Sequence, residues 1–191
     1  VEYMMHLAVD QATRGRPGPV WIDVPSNIQA AQMPEHTSLE YVSRKPSKVT
    51  FDHVKLTSQL HLAERPIVLA GVGIRQSGCV HGFMKFVEKF NLPFVTTYGA
   101  QDYAPFDHQL NMGTVGVRGS RTGNFSMQNA DTLLILGTSM GAPVIGYDPK
   151  QFSPQSYKIH VDIDEGELNK DIIPVQEKIQ VPLDQFFGAM L

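Results

Sequence analysis

Three glycine-spaced stretches hold the residue types that could bind an anion: Gly71-Val72-Gly73, Gly116-Val117-Arg118-Gly119 and Gly137-Thr138-Ser139. Glycine leaves the backbone amide uncovered, and an amide at the start of a helix points a partial positive charge at whatever lies beyond it. Gly71-Val72-Gly73 reads equally well as a phosphate contact and as a turn that needs positive φ. Arginine could add a two-toothed grip on a phosphate. Arg75, Arg118 and Arg121 are the candidates, and Arg118 is the best because glycines flank it. For each arginine taken alone, a solvated or carboxylate-paired role is the favoured reading. Asp162-Ile163-Asp164 sets two carboxylates on one face, as a ribose or an adenine edge would need. Asp164, with Glu167 three residues on, also reads as a helix N-cap in a capping-box variant. A dinucleotide fingerprint would require a third glycine at position 76, where Gln76 stands, and the next strand ends at Thr96-Thr97 without an acid. A nicotinamide cofactor is therefore not expected.

Other chemistries lack their parts. The seven histidines form no HExxH, HxH or Cys/His ligand set, and no GxSxG occurs. His53 and His61 share a helix face as surface residues. Cys79 has no motif partner and reads as a small core residue. No catalytic and no metal-binding residue is assigned.

The elements that must position these loops alternate. Helices are expected at Phe51–Ala63, Val80–Phe90, Thr122–Asn129, Glu165–Asn169 and from Leu183 onward. Strands are expected at Pro66–Ala70, Pro93–Thr97, Thr132–Leu136, Lys158–Ile163 and Lys178–Val181, with residues 98–117 mostly loop. Alternation of this kind predicts an α/β fold: a doubly wound (Rossmann-like), mostly parallel sheet of about six strands with helices on both faces. Before it lie a helix with Met4, Met5, Leu7, Ala8 and Ala12 near one stripe, a break at residues 15–19, and a short strand Val20–Val24 closed by Pro25. Residues 26–50, with Pro34 and Pro46 and no sustained period, read as a linker.

A length of 191 residues, 42% hydrophobic and 18% charged, is globular in composition. The net charge of −3 gives no reason to expect nucleic acid or a polybasic membrane patch. No apolar run is long enough to span a bilayer, and a single cysteine fits a reducing, cytoplasmic setting. The sequence opens at Val1 inside a helical pattern and stops at Leu191 inside an apolar run. It is expected to be a piece of a longer polypeptide.

Residues 15–25, Gly-Arg-Pro-Gly-Pro-Val-Trp-Ile-Asp-Val-Pro, closely resemble the segment that closes the first domain of thiamine-diphosphate-dependent enzymes of the acetolactate synthase type. The rest of the chain resembles their central domain. Leu92-Pro93 with Val95-Thr96-Thr97 is similar to its second strand, and Gln128-Asn129-Ala130-Asp131 with the Gly137 loop to its nucleotide crevice. Val161-Asp162-Ile163-Asp164 with Glu167-Leu168-Asn169 is similar to its late strand and helix. The resemblance implies three parts. Residues 1–25 are the final helix and strand of a pyrimidine-binding domain, residues 26–50 a linker, and residues 51–191 the central domain. It implies a parent acting on 2-oxo acids such as pyruvate, with the remaining domains as partners in a homodimer or homotetramer. Thiamine diphosphate and Mg2+ would be held outside this chain, which lacks the Gly-Asp-Gly motif and the strand bearing the activating glutamate. The chain alone is therefore expected to be inactive.

The resemblance also implies a crevice lined by Gly71, Val72, Gly73, Thr97, Tyr98, Gly116, Val117, Arg118, Gly137 and Asp162, which in acetolactate synthases holds a structural FAD. Flavin-binding relatives continue Gly-Ala-Arg-Phe-Asp-Asp-Arg. Here residues 137–143 read Gly-Thr-Ser-Met-Gly-Ala-Pro, without either arginine or either acid. Each lost charged hydrogen bond forfeits ~1.5–3 kcal/mol. FAD is accordingly expected to bind weakly or not at all, which leaves a nucleotide-binding module or a purely structural spacer as alternatives.

Overall fold

The computed structural model describes residues 2–32, 40–42 and 49–191. The chain divides into two compact units, residues 1–47 and 48–191.

In the first unit, helix α1 spans Glu2–Thr13 and the single turn α2 spans Ser26–Gln29. α1 stops in a stretch where the Thr13 hydroxyl donates to the Val9 carbonyl (2.7 Å) and Gly15 takes a φ of +68°. The expected strand Val20–Val24 does not form. Its residues are non-helical and all exposed, Trp21 at 90%, and no ladder partner flanks them among the described residues. A strand is completed by its neighbour's backbone groups, so an apolar alternation without a neighbour stays unpaired. The linker expected at residues 26–50 falls partly on 33–39 and 43–48, which lie outside the described residues.

The second unit is built on six parallel strands: β1 (Pro66–Ala70), β2 (Phe94–Thr96), β3 (Asn111–Thr114), β4 (Thr132–Leu136), β5 (Tyr157–Asp162) and β6 (Glu177–Gln180). Their order across the sheet is β3-β2-β1-β4-β5-β6, and every pairing is parallel. The doubly wound fold is therefore observed. β1 and β4 are buried on both faces, which is why they read as unbroken apolar runs, Pro-Ile-Val-Leu-Ala and Thr-Leu-Leu-Ile-Leu.

Helices α3 (His53–Leu62), α5 (Val80–Phe90) and α9 (Leu183–Met190) cover one face, burying Leu56, Leu60, Phe83, Phe86, Val87, Phe186 and Phe187 against Val68, Phe94, Leu134, Ile159 and Val161. The aromatic layer interlocks edge to face, with Phe83–Phe94 centroids at 5.2 Å and Phe86–Phe186 at 5.9 Å. The other face carries α6 (Arg121–Gln128), the single turn α7 (Ala142–Ile145) and the loop through Phe152. These bury Met127, Ile145 and Phe152 against Leu69, Val95, Leu133 and Ile135. Single turns α4 (Gly73–Gln76) and α8 (Glu165–Leu168) follow β1 and β5.

Local chemistry sets the ends of these elements. Asp52 caps α3 through the Lys55 amide (2.9 Å), and Ser120 caps α6 through that of Gly123 (3.0 Å). Asn91 ends α5 in the left-handed region at φ 50°. α3 also reaches the far edge of the sheet: Lys55 Nζ and Gln59 Nε2 both donate to Glu177 Oε2 at the start of β6, at 2.9 and 3.1 Å.

β3 corrects the expectation that residues 98–117 are mostly loop. Its half-buried Asn-Met-Gly-Thr run has no apolar signature, but β2 templates it. Phe94 N donates to Leu110 O and Val115 N to Thr96 O, on either side of the strand. Residues 98–103 form a 3-10 turn rather than a free loop.

Candidate functional site at the carboxyl edge

The strand order reverses between β1 and β4, and that reversal places a crevice beyond their carboxyl ends. The register aligns those ends. Ala70 lies opposite both Thr96 and Leu136, and Leu136 opposite Val161. All ten residues expected to line a crevice therefore sit at one edge: Gly71, Val72 and Gly73 after β1, Thr97 and Tyr98 after β2, Gly116, Val117 and Arg118 after β3, Gly137 after β4, and Asp162 at the end of β5.

The glycines there serve close approach between loops. A Cβ on Gly71 would stand 2.2 Å from the Gly137 carbonyl oxygen, and one on Gly73 would stand 2.8 Å from the Gly137 Cα. Gly137 itself has φ +54°. The Gly71 amide donates to the Leu136 carbonyl (2.9 Å), that of Gly73 to the Gly137 carbonyl (2.8 Å), and that of Gly137 to the Val161 carbonyl (3.0 Å). The reading of Gly71-Val72-Gly73 as bare amides thus needs correction: two of those N–H groups are engaged, by the last carbonyl of β4 and the first of its loop.

The second loop is closed in a similar way. Gly116 has φ +98°, and its missing Cβ leaves room for the Pro143 carbonyl, 2.0 Å from where that atom would be. Asn124 of α6 accepts from Gly116 N (2.8 Å) and donates to Gly116 O (3.0 Å). Val117 N donates to Pro143 O (3.0 Å), and Gly119 N to Gly116 O (2.9 Å). Pro143, in α7, thus packs against the loop after β3.

The side chains divide into held and unheld. Arg75 pairs with both oxygens of Asp102, and its guanidinium lies 5.2 Å above the Tyr103 ring. Its hydrogen bond to Asp102 raises the Arg75 pKa and holds that carboxyl below its ordinary value. The carboxylate-paired reading is the correct one for Arg75. Tyr103 donates its hydroxyl to the Gly71 carbonyl (2.8 Å) and accepts from Arg75 N (3.2 Å), and burial pushes its pKa up. Arg118 and Arg121 are exposed and make no ion pair among the described residues. Tyr98 is 69% exposed, while Thr97 is buried with its hydroxyl unpartnered among the described residues.

Asp162 is buried, and its carboxylate accepts from the Asp164 amide (2.9 Å). Asp164 does cap α8, accepting from Gly166 N (2.8 Å). Glu167 does not complete a capping box, because its carboxylate instead accepts from Ser139 Oγ (3.1 Å) and pairs with Lys170.

Tyr103, Asn124, Glu167 and His160 were not singled out for this edge by sequence reasoning. Each reaches it through a partner distant in the chain, and no local spacing could have marked it. A separate surface groove of about 460 Å³ (Glu88, Asn91, Asp107, His108) opens at the amino ends of β2 and β3, away from the crevice. Among the described residues no three acidic, histidine or cysteine side chains gather as a metal site, and no helix is long and apolar enough to cross a membrane.

Of the ten residues expected to line the crevice, Gly71, Gly73, Thr97, Gly116, Val117 and Gly137 have their amides engaged within the chain, and Ser139, where the resemblance would place an arginine, is bound to Glu167.

Comparison with known proteins gives one family. The model of the thiamine pyrophosphate enzyme central domain matches residues 54–186. A probable acetolactate synthase large subunit of Methanocaldococcus jannaschii is 33% identical over 194 residues, 96% of this chain and 33% of that protein. The acetolactate synthase isozyme 1 large subunit of Escherichia coli is 34% identical over 183 residues, 94% of this chain and 32% of that protein. The acetolactate synthase large subunit of Lactococcus lactis is 32% identical over 181 residues, 91% and 31%. The chain spans about a third of the length of these curated relatives.

Proposed function

This chain belongs to the family of thiamine pyrophosphate enzyme central domains, and on that premise we propose that it works as the central domain of a thiamine-diphosphate-dependent enzyme of the acetolactate synthase type. The substrates of that enzyme are 2-oxo acids such as pyruvate. The observation that carries the reading is the similarity to acetolactate synthase large subunits across nearly all of this chain. In the proposed division, residues 1–25 close the preceding pyrimidine-binding domain, residues 26–50 link, and residues 51–191 form the central domain. The active assembly is a cytoplasmic homodimer or homotetramer. Thiamine diphosphate, held with Mg2+ by domains other than this one, supplies the electron sink for decarboxylation and carbon–carbon bond formation.

The residues of this chain support that chemistry without touching it. The β1, β3 and β4 loops knit to one another, and the sheet behind them fixes their positions. A second reading is favoured by the engaged amides: the crevice is a structural joint rather than a nucleotide site, and FAD binds weakly or not at all. Gly71, Val72, Gly73, Thr97, Tyr98, Gly116, Val117, Gly137 and Asp162 then line a closed seam, with Arg118 as the exposed anion contact for any ligand that does enter.

Two measurements test these readings. Pyruvate, thiamine diphosphate and Mg2+ with residues 1–191 should give neither acetolactate nor acetaldehyde above a protein-free blank. The polypeptide carrying this domain together with the thiamine-binding domains should give acetolactate. Stoichiometric thiamine diphosphate binding by residues 1–191 would contradict the division of labour. FAD retained at near-unit ratio, or bound with submicromolar affinity, would contradict the closed crevice.

A further inference from the structure

β3 ends the sheet, so one flank of it faces away from β2. Two turns hang on that outer flank. A planar trans peptide sets its C=O and N–H on opposite sides, which shows where each turn lies. The peptide joining Leu110 and Asn111 turns its carbonyl to β2, where Phe94 N donates to it (2.9 Å). Its N–H therefore points outward, and it donates to His108 O (2.9 Å). Asn111 Nδ2 adds a bond to Pro105 O (3.3 Å). At the other end, the peptide joining Thr114 and Val115 turns its N–H to Thr96 O (3.0 Å). Thr114 O therefore points outward, and it accepts from Ser120 N (2.8 Å). Residues 105–108 thus close the amino end of the flank and residues 118–121 its carboxyl end, roughly 16 Å apart along the strand. These bonds take up backbone groups that a further strand would need. What the flank offers a partner is its side chains.

The charges at the two ends are opposite. Asp107 is exposed and makes no ion pair among the described residues. Glu88 of α5 lines the same groove, 3.6 Å from His108 Nε2. Glu88 has that histidine and, a turn earlier on α5, Lys85 for neighbours, so Asp107 is the principal acid of this end. At the carboxyl end Arg118 and Arg121 are exposed, again without an ion pair among the described residues. Between His108 and Asp131 they are the only charged side chains. Apolar groups accompany both ends: Phe106 beside Asp107 is 95% exposed, Val117 beside Arg118 is 53% exposed, and Phe125 stands exposed one turn beyond Arg121. Across the length of the strand the two ends are too far apart to neutralise each other, because salt screens charges over about 8 Å.

We propose that the outer flank of β3 is an interface between two copies of this chain. The two flanks lie antiparallel about a two-fold axis. Arg118 and Arg121 of each copy meet Asp107 and Glu88 of the other, and Phe106 of each packs against Val117 and Phe125. A two-fold axis across the strand lays the amino end of one flank on the carboxyl end of the other, and every contact occurs twice. The spacing of the charges is matched of necessity, because the same separation holds in both copies. Arginine and aromatic side chains are also the kinds that dominate interface energetics. The flank belongs to the second unit, and its use does not depend on the chemistry proposed for the parent enzyme.

Sedimentation velocity of residues 1–191 at submillimolar concentration tests this. The unmodified chain should form dimers that weaken as ionic strength rises from about 0.01 to about 0.15 M, where the screening length falls from about 30 to about 8 Å. Arg121→Glu and Asp107→Arg each turn attractive pairs into repulsive ones at both symmetry-related places. Each variant alone should dimerise roughly tenfold more weakly, or worse. Mixed in equal amounts, the two variants should dimerise again. Each reversed charge then meets the other reversed charge, while the native Asp107 of one chain meets the native Arg121 of the other. Both positions are exposed, so the melting temperatures should not fall. A chain that stays monomeric at about 0.01 M ionic strength, or a mixture that associates no better than its components, overturns the proposal. So does association indifferent to salt and to both reversals, as pairing through the exposed Val20–Val24 segment would be. Growth beyond the dimer would mean head-to-tail contact and overturns the two-fold arrangement.

Discussion

Replacing Gly71 by alanine tests whether the glycines of the carboxyl edge hold loops together. The backbone there does not need positive φ, so the whole effect is steric. The added Cβ would lie 2.2 Å from the Gly137 carbonyl oxygen, 2.3 Å from Thr138 Cβ and 2.6 Å from Thr138 Cα. None of these is the far end of a flexible side chain, so the loops themselves must part. Overpacking of this kind costs about 1–3 kcal/mol. Parting also strains three hydrogen bonds: Gly71 N to Leu136 O, Gly73 N to Gly137 O, and Tyr103 Oη to Gly71 O. Losing two of them adds roughly 1–3 kcal/mol. A total of about 2–6 kcal/mol should lower the Tm of the second unit by roughly 4–24 °C.

Gly188 is the matched control. It is exposed in α9 and a Cβ there meets nothing within 4 Å, so Gly188→Ala should stabilise by about 0.5–1 kcal/mol through helix propensity. Thermal melts and urea titrations of the three proteins read both effects. A Gly71→Ala protein melting with the parent, or equal losses in both variants, would refute the argument that loop contact selects glycine at position 71.

Other outcomes rest on the same contacts. Asn124→Asp keeps the acceptor for Gly116 N but cannot donate to Gly116 O, so it should destabilise by about 1–2 kcal/mol, read as a lower urea midpoint with unchanged slope. Deleting residues 1–25 should leave the melting of residues 45–191 nearly unchanged if that segment completes another domain; a loss of about ten degrees or more would count against the proposed division.

The sequence announced those parts of the fold whose signals are local. β1, β4 and α5 carry complete apolar patterns with clear stops: Gly71 after β1, Gly137 after β4, Asn91 after α5. β3 was not legible, because Asn111-Met112-Gly113-Thr114 is a strand only by virtue of the β2 edge beside it. Val20–Val24 shows the reverse, a strand-like alternation with no partner among the described residues. At the crevice, the glycine spacing correctly marked the loops. Whether a glycine makes room for a ligand or for another loop depends on what stands opposite, and Gly137 and Pro143 are far from Gly71 and Gly116 in the chain. Asp164 was legible as a cap because its partner is two residues away. Glu167 was misread because its partner, Ser139, belongs to another strand's loop.

The sheet is pinned across its midline at both margins. At the carboxyl margin the β1 loop is stitched to the β4 loop. At the opposite margin α3, which precedes β1, clasps Glu177 at the start of β6. A plate fastened at only one margin can bend like a book, and domain closure commonly exploits such a hinge. With both margins tied, bending of the β3-β2-β1 half against the β4-β5-β6 half would have to break contacts at either edge. In mechanical terms the second unit is built as a strut rather than a hinge.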